Sequence, residues 1–335
     1  MEIRDENWLM EPLLQVKDLR IEFRTSRGRL EALCGVSFDV LPGEVFGLVG
    51  ETGCGKTVTG LAMLRLVPRP GRITSGRVLF HDQDLMRKSE SEMQQIRGGQ
   101  ISMIFQDPSS SLNPVFTVGS QIVRVIRQHQ RESEHQAKQH AVEALESVGL
   151  PDIRRLMSSY PHELSGGMQQ RVMIAMALSC KPAMLIADEP TTALDVTIKA
   201  QILDLLQELR VRFNLAILLI THDLGVVAET CDRLAVLYAG HIVETGPTAE
   251  IFAAPRHPYT RGLMRAIPRR DSRGQPLTSI RGTVPSNPGT LVGCPFESRC
   301  EHAFDRCRVE QPPLIQMGER HLSACWLSQS EMLHE

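Results

Sequence analysis

Apolar and polar residues largely alternate over Leu14–Phe23 and Leu33–Val40, which predicts two half-exposed strands. They lead into Val45–Val49, a run suited to a core strand, so an antiparallel β-layer is expected ahead of residue 50. Gly76–Phe80 and Ile101–Phe105 predict two further strands. Between Val118 and Leu178 the period becomes helical: Ala141, Leu145 and Val148 fall at i, i+4 and i+7, and Gly149, Leu150 and Pro151 stop that helix. Near-continuous apolar runs at Ala183–Ala187 and Leu215–Thr221 predict strands of a parallel sheet covered on both faces, joined by helix Val196–Phe213. Arg233–Leu237 and His241–Glu244 flank Tyr238, Ala239 and Gly240 as a hairpin closing the core near Gly246 and Pro247. From Pro268 to Gly293, Pro, Gly, Ser and Arg recur without periodicity, which predicts a linker.

A chain of 335 residues suits one large or two modest domains. Its 37 basic and 39 acidic residues leave a net charge of -2, so the balance calls for neither nucleic acid nor an anionic membrane. No apolar run reaches the ~18 residues of a membrane span, and the opening Met1, Glu2, Ile3, Arg4 lacks a signal peptide's basic head and apolar body. A cytosolic protein is expected. In that reducing compartment the eight cysteines are not expected to form structural disulfides.

Gly50, Glu51, Thr52, Gly53, Cys54, Gly55, Lys56 and Thr57 form a G-x-x-x-x-G-K-T motif between the strand ending at Val49 and an amphipathic run starting at Val58. In that context the glycines let successive N–H groups turn towards the α- and β-phosphates of a nucleotide, and the helix N-terminus adds partial positive charge. Residues 50–58 are therefore the expected cradle. Lys56 would reach the β- and γ-phosphates, and the Thr57 hydroxyl would hold Mg²⁺. Asp188 and Glu189 end a buried strand, as acids do when they face a metal and a water: Asp188 would hold Mg²⁺ and Glu189 would act as general base. The same pair could instead cap a helix. Leu164, Ser165, Gly166, Gly167, Met168, Gln169, Gln170 and Arg171 place a serine and two glycines before a helix expected over Met168–Ser179. That entrance reads as a second anion site or as a plain serine cap.

With these motifs the chain resembles the ATP-binding-cassette family, whose LSGGQ-like signature is here LSGGMQQR, with Met168 in place of Gln. The resemblance covers nearly the whole chain. It implies an α/β fold: a P-loop NTPase nucleotide-binding domain over residues 1–255, with a RecA-like mixed sheet core, an antiparallel β-subdomain and a helical subdomain over about 107–180. It also implies a head-to-tail dimer in which each ATP lies between one subunit's phosphate loop and the other's Ser165, Gly166, Gly167 and Gln169. Phe23 matches the aromatic that stacks on adenine, or is a core strand residue. Gln106 matches the glutamine that senses Mg²⁺ and the lytic water. Ala193, Leu194 and Asp195 match the loop crossing the dimer interface, although Asp195 could simply cap the next helix. His222 matches the histidine that contacts the γ-phosphate. The presence of Lys56, Gln106, Glu189 and His222 implies a hydrolytically competent half-site.

Arg256, His257, Pro258, Tyr259, Thr260, Arg261, Gly262 and Leu263 resemble a segment of oligopeptide and dipeptide importer ATPases, as do residues 106–114. No chemistry follows from the His-Pro-Tyr-Thr stretch itself beyond a turn opening a helix. Residues 256–335 are the expected extension, and in it Cys294, Cys300, Cys307 and Cys325 follow the spacing C-x5-C-x6-C-x17-C. A [4Fe-4S] cluster is the preferred reading, and the resemblance implies the same. Tetrahedral Zn²⁺ is the alternative, and four unligated thiols the plain one.

The resemblance implies a peripheral ATPase at the cytoplasmic face of the inner membrane, whose dimer closes on ATP. Its expected partners are a second, related cassette subunit, two transmembrane permease subunits and, indirectly, an extracytoplasmic solute-binding protein. Other readings are nickel or another small solute within the same importer group, and a soluble cassette ATPase acting on ribosomes or DNA. The near-neutral charge disfavours the last.

Overall fold

The structure is a computed structural model that describes residues 11–26, 28–107, 111–192, 194–266, 280–285 and 287–332. The chain begins with β1 (Leu14–Thr25), β2 (Gly28–Val40), β3 (Val45–Val49), α1 (Lys56–Met63), β4 (Gly71–Phe80) and β5 (Gln83–Asp84). It continues through α2 (Glu90–Ile96), β6 (Ile101–Ile104), α3 (Val118–His129), α4 (Glu134–Ser147), α5 (Ile153–Ser158), α6 (Gly166–Leu178), β7 (Met184–Asp188) and α7 (Val196–Phe213). Then come β8 (Ala216–Thr221), α8 (Leu224–Thr230), β9 (Arg233–Tyr238), β10 (His241–Pro247), α9 (Thr248–Ala253) and α10 (Pro258–Arg265). The last elements are α11 (Asp305–Val309), β11 (Ile315–Gln316), β12 (Leu322–Ser323) and α12 (Trp326–Met332). Two compact units result, dividing at Met86/Arg87 and at Leu219/Ile220.

The first unit carries the expected antiparallel layer, in the order β2-β1-β4-β5. β2 starts at Gly28, earlier than the alternation predicts, because its pairing with β1 runs on to Thr25↔Gly28. β4 starts at Gly71 for the same reason, opposite Phe23. A second sheet of this unit runs β11-β12-β10-β9-β3. β3 is buried along its whole length and parallel to β9, as a continuous apolar strand covered on both faces should be. β9 and β10 form the expected hairpin. Its turn residues Ala239 (φ 45°) and Gly240 (φ 72°) are both left-handed, which matches the twist of the flanking strands.

In the second unit β6 and β7 are parallel, with Ile101 opposite Met184, and β8 lies beyond β7. The helical stretch divides into α3 to α6. Thr117 caps α3 and Ser133 caps α4, each side chain accepting a first-turn N–H. Ala137, Ala141 and Leu145 form the buried face of α4, which ends before Gly149 (φ 67°). α7 spans the residues its pattern predicts. Of the expected linker, residues 268–279 and 286 lie outside the described residues; the rest is irregular apart from a 3-10 turn at Pro288–Thr290. No helix among the described residues is long and apolar enough to cross a membrane.

Within the first unit Glu244 ties the C-terminal residues to β10. Fully buried on β10, it accepts the backbone N–H groups of Arg256 (2.6 Å) and His257 (3.0 Å) and pairs with His321 Nε2 at 2.7 Å. Burial pushes its pKa up, but the His321 ring and the two amides outweigh this and hold it below the usual carboxylate value. The unfolded chain loses these partners, so ionised Glu244 favours the native state at neutral pH, and that contribution is lost as pH falls through the depressed native pKa. We expect Glu244→Gln to cost about 2–4 kcal/mol at neutral pH by urea unfolding. The gap to the unaltered protein should narrow on acidification; a pH-independent gap would remove ionisation from the account.

Candidate functional site

In the first unit the turn after β3 is set by contacts that only glycine permits. A Cβ at Gly50 would stand 2.1 Å from the Leu237 carbonyl oxygen, and one at Gly55 (φ 111°) 2.6 Å from Leu33 Cδ2. Gly55 precedes α1 without a side-chain cap, so the first-turn amides of the helix are not taken up by a capping side chain. Lys56 is buried, and its Nζ donates to the carbonyl oxygens of Gly50 (2.7 Å) and Glu51 (3.0 Å), with Cys54 Sγ at 3.8 Å. All three partners are neutral. Burial raises the Cys54 thiol pKa despite the nearby ammonium, so the cation meets no thiolate there. The Gly240 N–H donates to Cys54 O at 3.0 Å and ties the loop to the β9–β10 turn.

Elsewhere in this unit Thr52, Gly53 and Thr57 are exposed, while Val58 is half-buried at the start of α1. Phe23 is half-buried on β1 and lies close over Gly71, at whose Cβ position its Cε1 would be 2.6 Å away. His222 is exposed between Thr221, the last residue of β8, and Asp223, which caps α8. Two residues without assigned chemistry reach the loop: Tyr259 Oη accepts the Glu51 N–H at 2.9 Å, and Arg299 forks the Glu51 carboxylate at 2.7 and 3.0 Å. Tyr259 lies in the His-Pro-Tyr-Thr segment. Nothing in the sequence pattern singles out Arg299.

In the second unit Asp188 is buried at the end of β7. Glu189 follows with a left-handed φ of 47°, a strained conformation for a non-glycine residue. Gln106 Nε2 donates to Glu189 Oε2 at 3.4 Å and Thr192 Oγ1 donates to the same oxygen at 2.7 Å, so two residues singled out by the sequence meet here. The helix that follows, α7, is capped by Asp195, whose Oδ1 accepts the N–H groups of Thr197 (3.1 Å) and Ile198 (3.0 Å). Ala193 lies outside the described residues, as do residues 108–110.

α6 begins at Gly166 rather than at Met168, because Ser165 Oγ accepts the Met168 N–H (3.4 Å) and draws both glycines into the first turn. Ser165 and Gly166 are exposed. Gln169 turns back, its Nε2 donating to the carbonyl oxygens of Pro161 (2.9 Å) and Leu164 (3.3 Å), which fixes the loop ahead of the helix.

Cys294, Cys300, Cys307 and Cys325 line one small cavity together with His257 and Phe296, and none of the four is in a disulfide. Burial, reinforced by the other three sulfurs, pushes the Cys294 thiol up to about 12. Among the described residues no three His, Cys, Asp or Glu side chains are grouped to hold a metal ion. One polar atom beside the cavity lacks a partner. His257 Nδ1 accepts the Tyr259 N–H (3.0 Å), and burial lowers the ring's pKa to about 4, so the neutral ring carries its proton on Nε2, which is buried with no acceptor.

The glycine turn with its enclosed lysine, and the strand-borne acids with a glycine-rich capped helix, define the P-loop NTPases of the ATP-binding-cassette type. Residues 33–192 match the family described as ABC transporter, and residues 243–307 match the oligopeptide/dipeptide transporter C-terminal region. The chain is 47% identical to the dipeptide transport ATP-binding protein DppD of Bacillus subtilis, over 97% of each chain. It is 49% identical to the oligopeptide transport ATP-binding protein OppD of the same organism, over 94% of this chain and 88% of that one. Among solved structures it is similar to MJ0796, titled a bacterial ABC transporter cassette and solved as a dimer, with a TM-score of 0.63, 26% identity, and coverage of 70% of this chain and 98% of that one. A second structure of MJ0796, in a post-hydrolysis state bound to ADP and Pi, gives a TM-score of 0.61. The chain therefore belongs to the ATP-binding subunits of the ABC transporter family, which are ATPases.

We expect Lys56→Ala to abolish the rise in thermal unfolding temperature that MgATP gives the unaltered protein, a rise that follows from ligand binding to the native state alone. Retention of that rise would show that Lys56 does not hold the phosphates.

Proposed function

We propose that the chain is the ATPase of a peptide importer, peripheral at the cytoplasmic face of the membrane. The carrying observation is the match of residues 243–307 to the oligopeptide/dipeptide transporter C-terminal region, beside relatives named for dipeptide and oligopeptide transport that align over nearly the full chain. Residues 1–255 act as the ATPase domain, with residues of about 107–180 as its helical part, and residues 256–335 as the extension. The second cassette is a related subunit. Two permease subunits are moved by closure of the cassette pair, and a solute-binding protein outside the cell selects the peptide.

The roles follow from charge. Lys56 exchanges neutral carbonyl partners for the β- and γ-phosphates, and the amides of residues 53–58 complete the cradle. Thr57, Asp188 and Gln106 hold Mg²⁺, which neutralises phosphate charge. Glu189, oriented through Oε2 by Gln106 and Thr192, takes a proton from the attacking water. His222 contacts the γ-phosphate and Phe23 stacks on adenine. Ser165, Gly166, Gly167, Gln169 and Asp195 serve the nucleotide of the partner cassette.

Cys294, Cys300, Cys307 and Cys325 hold a [4Fe-4S] cluster. Their common cavity and the unpaired Nε2–H of His257, a donor suited to sulfur, support this reading. Tetrahedral Zn²⁺ is the alternative occupant of the same four thiols. Bound there, the cluster would supply cross-links that staple a tail with little core of its own.

Glu189→Gln should keep ATP binding and lower turnover of the assembled transporter by roughly 10²–10⁴-fold; unchanged turnover would remove Glu189 from its role. Purified without oxygen, the protein should be brown with broad visible absorbance, and Cys300→Ser should lose the colour. A colourless preparation with stoichiometric zinc would replace the cluster.

A further inference from the structure

We propose that Arg299 and Tyr259 are positioning residues for the phosphate loop, acting through Glu51 so that the C-terminal region sets the affinity for the triphosphate. The inference rests on the reading of residues 50–58 as the phosphate cradle. Glu51 places a carboxylate inside a loop that must receive a highly anionic ligand, which repels that ligand unless its charge is countered. Arg299 supplies the counter-charge through both guanidinium nitrogens, a geometry that fixes direction as well as charge. Its side chain is only 4% exposed.

The guanidinium is held in turn. Nε donates to Arg281 O at 2.8 Å, and the group lies 5.6 Å from the Tyr238 ring centre and 5.9 Å from that of Phe296. Tyr259 fixes the backbone of the same residue: its hydroxyl takes the Glu51 N–H, and its ring packs against Tyr238 (4.6 Å) and Phe296 (5.4 Å). Both the amide and the carboxylate of Glu51 are thereby committed to residues far along the chain. The His-Pro-Tyr-Thr segment thus acquires a physical role, in which Pro258 opens α10, His257 caps it, and Tyr259 reaches the loop.

Equilibrium MgATP binding to the full-length protein tests this. Arg299→Met should weaken binding roughly tenfold by leaving the Glu51 charge uncountered, and Glu51→Gln in the same chain should restore it to within about threefold. Tyr259→Phe should weaken it about threefold. Glu51→Gln alone should tighten binding about threefold, since Arg299 then faces the phosphates unneutralised; a purely structural ion pair gives no such gain. Should Arg299→Met not fold, that single variant decides. Affinity unchanged in Arg299→Met, no recovery in the double variant, or no tightening in Glu51→Gln would each overturn the proposal. Loss of MgATP binding in Lys56→Ala alongside any of these sinks only the positioning role, whereas retained binding in Lys56→Ala sinks the cradle.

Discussion

A buried ammonium group without a countercharge governs the first unit. Lys56 Nζ is enclosed by two carbonyl oxygens and a thiol, and no carboxylate pairs with it among the described residues. Enclosing an ion among neutral partners is costly, and an anion brought to Nζ would relieve that cost. The loop can hold this state because it has little freedom: Gly50 lies against the carbonyl of Leu237 and Gly55 against the side chain of Leu33, both fully buried residues. β3 and β9, both well buried, support the turn between strand and helix.

Helix caps order the second unit. Ser165 and Asp195 were each open to a capping or a ligand-facing reading, and both do cap, through Ser165 Oγ on Met168 and Asp195 Oδ1 on Thr197 and Ile198. Capping does not exclude the other use. A helix entrance held open by a cap presents further first-turn donors to an anion, and two glycines there keep side chains out of the way. Glu189 is different in kind: its backbone is left-handed, its carboxylate is held by Gln106 and Thr192 and its carbonyl oxygen accepts the Thr192 N–H, and strain of this sort persists only where surrounding contacts enforce it.

The C-terminal residues belong to the first unit and are joined to β10 through a buried carboxylate. Glu244 gathers the amides of Arg256 and His257 and the ring of His321, so the chain enters α10 at a fixed angle. From that entry His257 stands beside the cysteine cavity and Tyr259 beside the glycine turn at Glu51. One short segment therefore touches two chemically distinct places.

Much of this was legible in the order of residues alone, because it depends on local periodicity and on motifs whose parts are adjacent. Val45–Val49, the glycine turn to Lys56, helix α7 and the Tyr238–Gly240 turn are determined by neighbours a few positions away. Strand starts at Gly28 and Gly71 were not, since pairing across the sheet rather than alternation extends those strands. Nor could the sequence bring Arg299 to Glu51, Tyr259 to the Glu51 amide, or His321 to Glu244. Each is a contact between polar groups far apart along the chain. Such pairs carry no periodic signature, and only the folded backbone decides which buried charge meets which.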